Sequence, residues 1–213
     1  MSGLRGVVFD CDGVLVDSEP LSERAWAMVL DGYGYTATPG DWPATRGTTN
    51  GDTAAYFRRF VAVDPGHDLV AEVEATLSEL LAAELEAFPD AVATVRALAG
   101  EGVPLAVASS SGRVQLDLKL ARFDLTRYFD RVVSCDDVAR GKPAPDLFLA
   151  AAAGMGIPPS RCFAVDDTEI GADAAVSAGM RAVLLARDGS LSARHPTVSH
   201  LDAELILHWL GLR

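Results

Sequence analysis

Two aspartates two residues apart, Asp10 and Asp12, close a short apolar run, Val7 to Phe9, and a second acidic pair, Asp166 and Asp167, closes another, Cys162 to Val165. In an extended chain the Asp10 and Asp12 side chains project to one side and Cys11 to the other, which puts two carboxylates in one small space. Like charges that close repel unless a cation stands between them, and oxygen-only ligands suit a hard ion such as magnesium. Asp166 and Asp167 supply the other half of such a site. The 213 residues contain two lysines, Lys119 and Lys142, so chemistry that needs a lysine has two places to find it. Lys142 is placed to hold a phosphoryl oxygen and keep Asp10 ionised. Ser109 and Ser110 end a further apolar run, and the helix start behind them offers backbone donors to an anion. Singly, a strand-end aspartate is more often a helix cap or turn former, and a serine there is commonly a cap. The signal lies in the combination and its order.

These groups need a frame that gathers strand ends. The segment GLRGVVFD reads as a strand buried on both faces, because its apolar residues run without alternation. From Ser18 to about Glu86 the pattern is helical and no strand is expected, with Ser18 as cap and Pro20 in the first turn. Leu69, Val73, Leu77, Leu80 and Leu81 form one apolar stripe. Turn-rich pieces at 32–34, 38–43 and 64–66 cut this stretch into several helices. Beyond Pro89 helices and strands alternate: helix 90–99, strand 104–108, helix 112–122, strand 131–134, helix 146–155, strand 162–165, helix 170–178 and strand 181–185. That alternation predicts an α/β fold, a doubly wound, Rossmann-like parallel sheet, with an all-helical cap inserted after the first strand. The expected division is 1–16 and 88–213 for the core and 17–87 for the cap. In such sheets ligands bind at the carboxyl ends of the strands, where the polar residues collect.

With these residues in place a resemblance emerges. VVFDCDGVLVDSE at 7–19 resembles the first motif of the haloacid dehalogenase superfamily; LAVASSS at 105–111, GKPAPD at 141–146 and VDDTEIGADAA at 165–175 resemble the other three, in order and across nearly the whole chain. The resemblance implies that Asp10 attacks phosphorus and forms an aspartyl phosphate that water then hydrolyses. It implies that Asp12, its pKa raised by crowded acidic surroundings, protonates the departing oxygen and later deprotonates the water. Ser109 takes the phosphate-binding position, with Ser110 and Lys142 beside it. Magnesium is then held by Asp10, the backbone carbonyl of Asp12 and Asp167, with Asp166 bound directly or through water. Gly171 stands where some relatives place another acidic residue.

The inserted cap and DSEPLSERAW at 17–26 look like the subgroup that contains beta-phosphoglucomutase and many sugar-phosphate phosphatases. That mutase family carries a cap histidine where Ser22 stands, and a cap arginine for the distal phosphate where RGTTN at 46–50 places Asn50. A small phosphorylated metabolite, a sugar phosphate or sugar-acid phosphate, is therefore the expected substrate of a phosphatase. Mutase activity is the second reading, and Arg46 and Asn50 are the candidate cap contacts. The cap contains no lysine for the Schiff base of phosphonoacetaldehyde hydrolases, and dehalogenases proper lack the aspartate found at Asp12. A receiver-type signalling domain shares the chemical groups, but its acidic pair precedes the phosphorylated aspartate and it has no such insertion. Trp42 and Tyr56 are read as packing residues, and His67, His195, His200 and His208 as lying away from every motif.

Composition narrows the partners. A formal charge of −12 without a basic cluster argues against nucleic acid. No apolar run approaches the roughly 20 residues that cross a bilayer, so no membrane partner and a cytoplasmic, soluble protein are expected, a monomer or weak homo-oligomer. Cys11, Cys135 and Cys162 lack metal or disulfide spacing and are read as reduced, buried thiols.

Overall fold

The computed structural model describes residues 5–45, 48–64 and 66–213. Its centre is a strand, β1 (Gly6–Phe9), buried at every position. Val7 and Phe9 point to one face of the sheet and Val8 to the other, where they join separate apolar cores. Around it stand β4 (Leu105–Ala108), β5 (Arg131–Val133), β6 (Cys162–Asp166), β7 (Arg181–Leu185) and β8 (Thr197–Val198), in the order β5-β4-β1-β6-β7-β8. Every neighbouring pair is parallel. The doubly wound sheet is therefore present, with one strand more than the sequence pattern indicates. Thr197 and Val198 are too few to write a periodicity; they join because Leu184 and Ala186 bond to the backbone of Pro196 and Val198.

Helices α4 (Pro89–Gly100), α5 (Arg113–Arg122) and α8 (Ala203–Leu210) bury Leu98, Leu116, Leu120, Ile206 and Leu210 on one face. On the other face lie α6 (Asp146–Gly154) and α7 (Glu169–Ser177), where Ala151, Ala152, Ala174 and Ala175 let the helices approach the small residues Ala106, Ala108 and Ala164.

The insertion holds α1 (Glu19–Gly32), α2 (Asn50–Phe57) and α3 (Leu69–Glu84). All five residues of the expected α3 stripe are buried. Asp68 caps α3 by accepting from the amides of Val70 and Ala71, and Thr49 with Asp52 forms a capping box on α2. Phe57 sits at the centre of the cap, with the rings of Trp26, Tyr35, Trp42 and Tyr56 at 5.0–5.9 Å. Trp42 and Tyr56 are packing residues, as expected. Replacing Phe57 by alanine removes the common partner of four rings, and urea unfolding should show a loss of about 3–5 kcal/mol.

A short antiparallel pair, β2 (Val16–Asp17) with β3 (Glu86–Ala87), joins the two chain crossings into the insertion. The pair stands at the two ends of the helical stretch, before Ser18 and after Leu85, and leaves no pattern in the sequence because each strand is two residues long, below the length at which alternation can be seen. Beside it Arg187 braces the loop after β1. It donates to the carbonyls of Gly13 and Val14, pairs with both oxygens of Asp90 at 3.0 Å, and stacks 3.7 Å above the Phe88 ring. Burial opposes ionisation of Asp90, but Arg187 and the Leu201 amide outweigh it and hold the carboxyl below its ordinary pKa. A depressed folded-state pKa stabilises above the unfolded value of about 3.9, and this contribution is lost as pH falls through the folded value. Asp90→Asn should therefore lower the melting temperature at neutral pH and narrow its gap to the parent protein as the pH drops below about 4.

Candidate active site

The strand order reverses at β1, with β4 on one side and β6 on the other. Phe9 lies level with Val107 and with Val165, so the residues just beyond leave the sheet together. The Asp10 amide donates to Val165 O at 2.9 Å, and the Ser109 amide to Val133 O at 3.0 Å, which carries the extended backbone right to the site. Asp10, Ser109 and Asp166 are all buried there.

Lys142 reaches in from the loop before α6. Its ammonium lies 2.9 Å from Asp10 Oδ1 and 2.8 Å from Asp166 Oδ2, with the side chain 2% exposed. The Lys142–Pro143 peptide bond is cis. Asp166 also accepts from the amide and hydroxyl of Thr168, the residue whose hydroxyl caps α7. Asp10 Oδ1, in contrast, has the lysine beside it but accepts no aligned hydrogen bond.

Asp10, Asp166 and Asp167 each bring a carboxylate oxygen within 4.8 Å of the others. Burial pushes Asp10 up to about 7 against the pull of Lys142, with Asp166 and Asp12 adding to the rise. Burial, then Asp166 and Asp10, push Asp167 well above the ordinary carboxylate range. Three converging carboxylates, one with an oxygen lacking an aligned donor, fit a hard divalent cation, which would relieve both the repulsion and the unmet acceptor. Glycines keep the space: a Cβ on Gly13, which has φ +70°, would overlap the Asp167 carboxylate, and one on Gly171 would overlap that of Asp166. The latter explains why no further acidic side chain stands at Gly171.

Asp12 departs from expectation. Its side chain is not part of this cluster but turns toward α5, where Oδ1 accepts from Lys119 Nζ at 2.5 Å and from the Ser18 hydroxyl. Oδ2 accepts from Ser111 Oγ at 2.8 Å and Ser109 Oγ at 3.3 Å. Burial acts to raise its pKa, but Lys119 and these hydroxyls prevail and hold it at about 2. The expected rise is thus reversed, because the nearest charge is a lysine rather than the neighbouring carboxylates. Ser18 begins α1 as expected, yet its hydroxyl makes no cap bond and is given to Asp12.

Lys119 is the residue that sequence reasoning missed. A signal existed: Gln115, Leu116, Lys119 and Leu120 form the buried face of α5, and a charge on an apolar helix face requires a partner. The donors expected at the α5 start are also partly taken, since the Arg113 amide donates to Asp136 Oδ2 at 2.7 Å. Ser110 is partly buried and, with Asp10, Asp12 and Ser111, forms the floor of a cavity of about 70 Å³ roofed by Ser22 and Asn50. Asn50 Nδ2 donates to Glu74 Oε1 at 3.2 Å, joining α2 to α3 above the site. Arg46 lies outside the described residues.

The remaining side-chain expectations divide. Cys11 and Cys162 are buried and free, whereas Cys135 is only partly buried, since it borders an open groove beside the site. His195 does not lie away from the motifs: its ring is 2.9 Å from Asp173 on α7, and its side chain is 8% exposed. The loop before β8 folds back onto α7 and places it there.

A model of the haloacid dehalogenase-like hydrolases matches residues 4–179. The chain belongs to that family. Among curated relatives, fructose-1-phosphate phosphatase YqaB of Escherichia coli (strain K12) is 35% identical over 180 residues, covering 84% of this chain and 94% of that protein. A 6-phosphogluconate phosphatase of the same organism is 30% identical over 205 residues, covering 88% of this chain and 85% of that one. Among solved structures, CbbY from Rhodobacter sphaeroides in complex with phosphate superposes with a TM-score of 0.83 at 25% identity, covering 98% and 100% of the two chains. No helix among the described residues is long and apolar enough to cross a membrane.

Proposed function

We propose that this haloacid dehalogenase-like hydrolase is a magnesium-dependent phosphatase of small phosphorylated metabolites, sugar phosphates and sugar-acid phosphates foremost, working through an aspartyl phosphate on Asp10. The observation that carries the reading is Asp10 at the end of the central strand, 2.9 Å from Lys142 and within 4.8 Å of Asp166 and Asp167 oxygens. The two phosphatase relatives support the same substrate class, and the phosphate-bound neighbour supports a site for the phosphoryl group.

Asp10 attacks phosphorus, the bond from phosphorus to the ester oxygen breaks, and that oxygen takes a proton from Asp12. Water then attacks the phosphorus of the aspartyl phosphate, its proton passes to Asp12, the bond from phosphorus to the Asp10 oxygen breaks, and inorganic phosphate leaves with the Asp10 carboxylate restored. Asp12 is ionised in the substrate-free arrangement, which suits the second step; a phosphoryl group arriving alongside brings like charge that favours protonation for the first. Lys142 and Ser109, with Ser110 at the cavity floor, hold the phosphoryl oxygens. Asp10, Asp166 and Asp167, with the carbonyl of Asp12, would hold magnesium. When bound, the ion supplies positive charge that screens the phosphate from the carboxylates. In this reading the core is 1–16 with 88–213 and the cap 17–87, the boundary lying at the β2–β3 pair. The cap excludes water and selects the leaving group, with Asn50 facing the cavity and Arg46 proposed as a further contact.

Protons and magnesium compete for Asp10, so the ion should bind more tightly as the pH rises through about 7, by about tenfold between pH 6 and pH 8. Titrating activity with magnesium at both values checks this. The reading itself is tested by phosphate release from a panel of sugar phosphates and sugar-acid phosphates, with magnesium and with chelator. A coupled assay for isomerisation of glucose 1-phosphate to glucose 6-phosphate is run alongside: release in the first and none in the second is expected, and isomerisation without net release would favour the mutase.

A further inference from the structure

The ion pair that Lys119 makes with Asp12 joins residues 107 positions apart. Lys119 has a side chain only 4% exposed, while Asp12 is 20% exposed. A charge so buried is strongly disfavoured unless paired, and the pairing here is specific. The ammonium donates to Asp12 Oδ1 at 2.5 Å and to Ser111 Oγ at 2.8 Å, and Ser111 Oγ in turn donates to Asp12 Oδ2. The carboxyl plane is thus held at both oxygens by one rigid helix and the loop leading into it.

The two oxygens differ in what they face. Oδ1 is enclosed by Lys119 and Ser18, whereas Oδ2 looks toward Ser109 Oγ, 3.3 Å away at the end of β4. When a phosphoryl oxygen takes the Ser109 hydroxyl, Oδ2 loses its weaker donor while Oδ1 keeps its clamp. We propose that Lys119 is a positioning residue for Asp12: by clamping Oδ1 it aims Oδ2 at the ester oxygen, without itself touching substrate. This rests on the phosphatase reading above, in which Asp12 passes a proton to the leaving group and takes one from water.

Leaving-group chemistry separates this role from a merely structural one. An alkyl phosphate, such as a sugar phosphate, requires a proton on its departing oxygen, whereas p-nitrophenyl phosphate releases a stable anion and does not. The test compares kcat/KM, which reports the leaving-group step and not the later attack of water, on both esters for the parent protein, Asp12→Asn, Lys119→Met and Ser111→Ala, with melting temperatures measured on each. Asp12→Asn should slow the alkyl ester far more than the aryl ester. Lys119→Met should reproduce that split, with a loss of about tenfold or more on the alkyl ester and under about threefold on the aryl ester. Ser111→Ala, which keeps the lysine and so guards against a folding failure of the first variant, should show the same split at smaller size. Equal losses on both esters in folded Lys119→Met and Ser111→Ala, beside a clear split in Asp12→Asn, would overturn the positioning role and leave the phosphatase reading intact. An absent split in Asp12→Asn itself would overturn both.

Discussion

Asp10→Asn should abolish phosphate release, with kcat reduced by about a thousandfold or more, while the chain stays folded. The substitution keeps the shape of the side chain and turns the carboxylate beside Lys142 into an amide that is no nucleophile. Its stability consequence has the opposite sign. Asp10 has a folded pKa raised to about 7 by burial, so its ionisation opposes folding: stability declines as pH rises from the unfolded value of about 3.9 toward 7, and stays lower above it. Metal-free Asp10→Asn lacks that penalty and should melt no lower than the parent protein at about pH 8, and higher if Lys142 remains satisfied by Asp166. A dead but equally stable variant separates chemistry from folding, which a loss of activity alone does not.

Lys142→Met should lose both activity and stability. The ammonium is 2.8 Å from Asp166 and 2.9 Å from Asp10, and its own pKa is raised because these two anions outweigh the cost of burial. Removing it leaves two buried carboxylates facing each other without a counter-charge, a change that costs about 3–5 kcal/mol. Chemical denaturation without magnesium should show that loss. Added magnesium should restore part of the stability, because it replaces some of the missing positive charge, yet should not restore turnover, because the phosphoryl oxygen still lacks its donor. Asp90→Asn, which keeps Lys142 and all the cluster's carboxylates, should gain no more from magnesium than the parent protein does, and so serves as the control.

The arrangement of the catalytic edge was legible because each contributing segment announces itself locally. Asp10, Ser109 and Asp166 each end an uninterrupted apolar run, and a parallel sheet with β1 at its centre can only bring such ends together. The α3 stripe was legible for the same reason, as five apolar residues at helical spacing. What stayed hidden depends on partners distant in sequence. Nothing near Asp12 foretells that a lysine 107 residues later will reverse its expected pKa shift, nor that Ser18 will give its hydroxyl to Asp12 rather than to its own helix. The Arg113 amide, expected to be available to an anion, is bound by Asp136 because the loop after β5 folds back on α5. Strands of two residues, such as β2, β3 and β8, exist through pairing alone and leave no pattern to read.

Lys119 shows how such a residue can still be found. In a chain with two lysines, one on the buried face of a helix has to meet a carboxylate somewhere, and the catalytic edge holds four candidates. Both lysines of this protein are spent on that edge: Lys142 on Asp10 and Asp166, Lys119 on Asp12. The result is a division among neighbouring carboxylates, with Asp10 pushed up to about 7 and Asp12 held at about 2. Without a cation or substrate this division runs opposite to the two roles, since a nucleophile must be ionised and a proton donor protonated. A divalent cation at Asp10 and a phosphoryl group beside Asp12 would move each toward its role.

The most direct test is to quench the enzyme within a single turnover of a labelled phosphate ester, digest it under acid, and locate the label. A phosphoryl group on the peptide that contains Asp10, appearing before free phosphate and absent from Asp10→Asn, is the expected result. Full turnover with no protein-bound phosphate at any quench time, or label on a peptide that lacks Asp10, would contradict it.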